Sequence, residues 1–67
     1  MKTIAIRNRP KLPPLYVESV KGASSADWGY STSSASAINL TPYWQRRFAA
    51  DCRYVGADYL FLEVQDA

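Results

Sequence analysis

The chain has 67 residues, 48% hydrophobic and 13% aromatic, with a formal net charge of +2. That length allows one domain spanning 1–67, and a composition this apolar belongs to a folded chain, not a disordered one. With no histidine and a single cysteine, Cys52, the sequence lacks the commonest general base, the commonest metal ligand and any internal disulfide.

No catalytic centre, metal or cofactor is therefore expected. Serines are plentiful, but none has a histidine to activate it. A chain this short buries only about 60% of its unfolded surface, so a homodimer or a larger partner would supply burial that it lacks. No apolar run reaches the roughly 18 residues needed to span a membrane. Arg7 and Arg9 interrupt the apolar start before the roughly 7–15-residue core of a secretory signal can form, so the chain is expected in the cytoplasm.

Residues 3–7 alternate as a short strand with Ile4 and Ile6 toward the core. Residues 8–14 hold Pro10, Pro13 and Pro14, which forbid helix and favour an extended connection. Arg7, Pro10 and Pro13 also fit a basic residue followed by P-x-x-P, but a stiff link between two strands explains them more simply. Residues 15–21 read as a second strand, with Leu15 and Val17 on one face and Tyr16, Glu18 and Val20 on the other. Gly22 and the small residues 23–26 form a turn, after which Trp28-Gly29-Tyr30-Ser31 pairs back as a hairpin. The serine-rich stretch 31–37 is a loop or one helical turn, and Ile38-Asn39-Leu40 re-enters the core.

The clearest local signal is a helix from Pro42 to Val55. Thr41 suits the N-cap, Pro42 the first helical position and Gly56 the left-handed stop. Trp44, Phe48, Cys52 and Val55 fall at intervals of four, four and three, which makes one buried face, and Cys52 is expected there as a structural thiol. Residues 59–64 close the domain as a strand, with Leu60, Leu62 and Val64 inward and Tyr59, Phe61 and Glu63 outward. The predicted fold is α+β: a small antiparallel sheet of three or four strands with one helix on one face, ββαβ-like.

Two surfaces stand out as candidate partner sites. Tyr43, Arg47 and Tyr54 form a second helical strip beside the buried one, with Arg46 nearby. Tyrosine and arginine are enriched at binding hot spots because they offer large area with polar tips. Tyr16, Tyr59 and Phe61 are expected on the sheet face away from the helix, where only a partner would cover them. Glu18 and Glu63 would share that face and repel phosphate, which favours a protein partner or a second copy there. The charges divide unevenly. Residues 1–21 carry Lys2, Arg7, Arg9, Lys11 and Lys21 against Glu18, and the last ten carry only Asp58, Glu63 and Asp66.

Leu15-Tyr16-Val17-Glu18-Ser19-Val20, Trp28-Gly29-Tyr30-Ser31-Thr32, Ala37 with Leu40-Thr41, the helix stopped at Gly56 and Phe61-Leu62-Glu63-Val64 come in an order that resembles small phage and prophage accessory proteins of the anti-CRISPR type, over residues 15–64. Leu12-Pro13-Pro14 and the Arg46-Arg47 pair stand outside that resemblance. It implies a non-enzymatic protein, made in the host cytoplasm, that blocks a host protein complex such as a CRISPR effector by binding it. The alternative from the residues is a nucleic-acid-binding module using Arg7, Arg9, Lys11, Arg46 and Arg47.

Overall fold

A computed structural model describes residues 1–22 and 25–65. The predicted turn at Ala23 and Ser24 and the acid Asp66 lie outside the described residues. Strands β1 (Lys2–Arg9), β2 (Leu12–Lys21) and β3 (Asp27–Ser31) are followed by a 3₁₀ turn (Ser34–Ser36), helix α1 (Pro42–Val55) and strand β4 (Asp58–Val64). The strands make one antiparallel sheet in the order β3-β2-β1-β4, with the helix on one face. The predicted α+β class and helix limits agree with this architecture. Among the described residues no helix is long and apolar enough to cross a membrane.

The prolines are part of the sheet, not of a separate link. Pro10 and Lys11 turn β1 into β2, with Lys11 taking the left-handed conformation at φ 61°. Pro13 and Pro14 lie within β2, beyond the reach of β3, which pairs only with Tyr16–Lys21. That side of β2 is a local edge, where a missing N–H costs no ladder bond. Here β2 spends three residues against two of β1, and Arg9 donates from Nε and Nη2 to the Pro13 carbonyl at 3.0 and 2.7 Å. A polyproline ligand would have to be free, and here the prolines belong to a hairpin paired with β1.

The helix-side core consists of Ala5, Val17, Leu40, Phe48 and Cys52, flanked by Trp28, Tyr30, Trp44, Tyr59 and Phe61. Two strands therefore have the opposite phase from that predicted. Ile4 and Ile6 face away from the helix, where they bury with Ala37, Tyr16 and Val64. Leu60 and Leu62, expected inward, are 42% and 47% exposed on that same outer side. Tyr59 and Phe61, expected outward, both pack on Phe48 with centroids 6.1 Å away. The cause is size. Phe48 and Phe61 are broad rings, and only the small Ala5, paired with Phe61, leaves room for them between helix and sheet.

A bulge at Glu18 shifts the face of the end of β2. Val17 pairs with Tyr30 and Ser19 with Gly29, so Glu18 has no opposite number and Val20 comes to lie across from Trp28. A Cβ at Gly29 would run into the Ser19 hydroxyl, which accounts for the glycine. Glu18 and Glu63 are not neighbours, because β1 separates β2 from β4.

The connection into the helix passes between strands. β1 pairs with β2 at Ile6–Tyr16, Arg7–Leu15 and Arg9–Leu12, toward their shared hairpin. In the remaining gap the Ile38 N–H donates to the Val17 carbonyl at 3.1 Å and the Leu40 N–H to the Thr3 carbonyl at 2.9 Å. Asn39 Oδ1 accepts from the Thr3 N–H at 2.8 Å, and Lys2 Nζ donates to the Ala37 carbonyl at 3.0 Å. Ala37 belongs to the outer cluster and Leu40 to the helix-side cluster, so the segment crosses the sheet from one face to the other.

Helix α1 starts and stops as the sequence predicts. Thr41 is extended at the N-cap, although its side chain makes no capping bond. Gln45 instead ties the incoming chain to the first turn, donating from Nε2 to the Leu40 carbonyl at 2.8 Å. Gly56 closes the helix at φ 73°, with its N–H bonded to the Arg53 carbonyl. Of the four predicted inward residues only Phe48 and Cys52 are fully buried. Trp44 is half-buried and Val55 is 63% exposed.

Candidate functional site: the outer face of the helix

Helical periodicity places Tyr43, Arg46, Arg47, Arg53 and Tyr54 on the side of α1 away from Phe48 and Cys52. Tyr43 is 48% exposed and Tyr54 is 88% exposed. Asp51 is the helix's only acid, and its Oδ2 accepts a hydrogen bond from Trp28 Nε1 at 2.8 Å. The carboxylate is thus turned toward β3, and the helix gives its outer face three arginines and two tyrosines.

Arg47 is held by its own helix. Its Nη1 donates to the Tyr43 hydroxyl at 3.0 Å, and its guanidinium lies 5.9 Å from the ring centroids of both Tyr43 and Trp44. Tyr43 and Trp44 meet edge to face at 5.0 Å, and Trp44 meets Trp28 the same way at 5.9 Å. The result is a continuous aromatic ledge from β3 to the helix start with a guanidinium on top. At the other end Arg53 Nη1 donates to the Tyr59 hydroxyl at 3.1 Å. A face so built offers planar, directional donors and rigid aromatic area, which is the chemistry that engages carboxylate groups on a partner.

The sequence-predicted residues therefore separate. Tyr43, Arg46, Arg47 and Tyr54 share the outer helix face. Tyr16 sits half-buried on the outer sheet face beside Ile6. Tyr59 and Phe61 belong to the core under the helix, so of the three predicted aromatics only Tyr16 lies on the outer face, among aliphatic residues. Glu18 stands at the β2 bulge and Glu63 alternates with Tyr59 and Phe61, so the two acids do not flank an outer aromatic face. Trp44, expected on the buried face, and Arg53 join the helix site although neither is a predicted site residue; their spacing from Arg47 and Tyr54 is visible in the sequence.

A second concavity lies beneath the last helical turn. A cleft of about 250 Å³ is lined by Arg7, Trp28, Tyr30, Asp51, Cys52, Tyr54 and Val55. Arg7 stacks over Tyr30 at 5.7 Å. Burial pushes the Tyr30 phenol and the Cys52 thiol above their ordinary pKa values, and the nearby Arg7 charge opposes both shifts. A thiol held protonated in this way is a poor nucleophile.

The chain matches no protein-family model, and neither a curated protein nor a solved structure matches it.

Proposed function

We propose that this protein is a non-enzymatic inhibitor of the phage type that binds a host protein complex through the outer face of α1, the narrowest form of this reading being blockade of a CRISPR effector. The supporting observation is the concentration of Tyr43, Arg46, Arg47, Arg53 and Tyr54 on one outward surface of a helix whose own acid, Asp51, is turned to Trp28. Such a face fits an acidic protein surface, with Tyr43 and Arg47 already oriented by one another. The resemblance of residues 15–64 to anti-CRISPR-type proteins supports the choice of target.

The test is a plasmid or phage challenge in bacteria carrying an active CRISPR effector, with and without this protein. Expression should raise survival of the targeted element, and the Tyr43→Ala/Arg47→Ala variant should not. No protection by the wild type against any effector type would remove the CRISPR target. Purified protein that captures a host complex, with capture lost in the double variant, would still support the broader reading.

A further inference from the structure

We infer that the open edge of β4 pairs with β4 of a second copy of this chain, forming a symmetric dimer with one continuous eight-stranded sheet. Among the described residues β4 has β1 on one side only, so its other edge presents backbone N–H and C=O groups open to pairing. Apart from the acids Asp58 and Glu63, β4 carries none of the usual features that blunt an edge. Its seven residues, Asp58 to Val64, contain no proline, lysine or glycine and keep unbroken register with β1 from Asn8–Asp58 to Lys2–Val64. The opposite edge, β3, has five residues, a central glycine and a bulge beside it.

The strand is also complementary to itself. Only one antiparallel register about a two-fold axis uses all seven residues, and it places Phe61 on the axis. Leu60 of each copy then lies opposite Leu62 of the other on the outer face, where both are now substantially exposed. On the helix side Tyr59 lies opposite Glu63 of the second copy. Directly opposed side chains on paired strands stand about 5 Å apart at Cβ. Arg53 already reaches the Tyr59 hydroxyl at 3.1 Å, so its guanidinium comes within reach of the second copy's Glu63 carboxylate. The two-fold axis makes that pairing twice, Arg53 to Glu63 in each direction. The registers centred on Leu60 or Leu62 leave strand ends unpaired, and the first sets Leu62 against Asp58. The edge-to-edge contact engages Arg53 of the outer helix face and uses none of Tyr43, Arg46, Arg47 and Tyr54.

Sedimentation equilibrium over roughly 1–500 μM tests the dimer. Wild-type protein should reach twice the 7.5 kDa chain mass. Glu63→Arg should weaken association by at least about tenfold through repulsion from Arg53, and Glu63→Arg with Arg53→Glu should bring it back. Hydrogen exchange gives a readout without mutation: β4 amides should become protected as protein concentration rises while β3 amides do not. A monomer across the whole range, or a dimer indifferent to Glu63→Arg, overturns the proposal. So does concentration-dependent protection that appears on β3 instead.

Discussion

Trp28 Nε1 donates to Asp51 Oδ2 at 2.8 Å, a single bond that ties the edge strand β3 to the middle of the helix. Both groups are partly buried, and the same indole packs edge to face on Phe48 at 5.1 Å. A hydrogen bond to a charged acceptor in such a place stabilises by about 1.5–3 kcal/mol. Asp51→Ala should therefore cost about 1–2 kcal/mol in urea unfolding, allowing for partial solvent access. Asp51→Asn, which keeps an acceptor oxygen, should cost less. Equal losses in the two variants would mean that the bond contributes little.

Phe48 is fully buried, touching rings from β3 and β4 at once. Phe48→Ala should cost about 3–5 kcal/mol, which in a domain of this size leaves little folded protein at 25 °C. Val55→Ala, on the same predicted stripe but 63% exposed, should change stability by less than about 0.5 kcal/mol. Comparing the two by thermal melting checks which residues of that stripe are buried in the core.

Stability should fall in alkali. Burial raises the folded-state pKa of Cys52 above 9.0 and that of Tyr30 above 10.0, so the folded protein holds those protons longer than the unfolded chain does. The contribution is complete below the unfolded values and is lost as pH climbs through them toward the folded ones. Urea midpoints should be flat from neutrality to about pH 8.5 and decline beyond. Cys52→Ala should remove the earlier part of that decline and leave the phenol's part. A midpoint that rises above pH 9 would contradict the burial of both groups.

The helix face can be stripped without unfolding the protein. Tyr43 and Arg47 interact at an exposed site, where a cation–π contact is worth about 0.5–1 kcal/mol. Tyr43→Ala/Arg47→Ala should melt within a few degrees of wild type with an unchanged circular dichroism spectrum. The wild type should also fail to bind duplex or single-stranded nucleic acid tightly at physiological salt. Its net charge is only +2, and Glu18, Asp27, Asp58 and Glu63 are all exposed around the sheet. Sub-micromolar binding that collapses between roughly 50 and 200 mM salt would move the function to nucleic acid.

Local signals in the sequence were read correctly where one residue decides the outcome. Pro42 and Gly56 mark the helix limits, and Trp28–Ser31 returns along β2 as expected. The phase of β4 was not legible, because Tyr59-Leu60-Phe61-Leu62 is apolar on both sides and alternation selects neither. The phase of β1 misled for a related reason: Ile4 and Ile6 are larger than Ala5, yet the small residue faces the helix because Phe48 and Phe61 need the space. Nothing local announced that Ala37 would cover the isoleucines from the far side. The helix site survived these errors, since its residues depend only on the period of one helix. The supposed aromatic sheet face depended on strand phase and did not.

The segment from Ala37 to Leu40 has a consequence for how the chain folds. Its bonds to Lys2 and Thr3 join residues 35 and 36 positions apart, whereas the β1–β2 turn closes over two residues. Closing the longer loops costs more chain entropy, and topologies rich in such contacts fold slowly. The hairpins can form first, but the first half of β1 has no neighbour on its β2 side until this segment arrives. Once in place, Ile38 and Leu40 are bonded to two different strands from inside the sheet, and neither amide can reach water without parting them. Those two amides should therefore exchange only through whole-domain opening, with the slowest rates in the molecule.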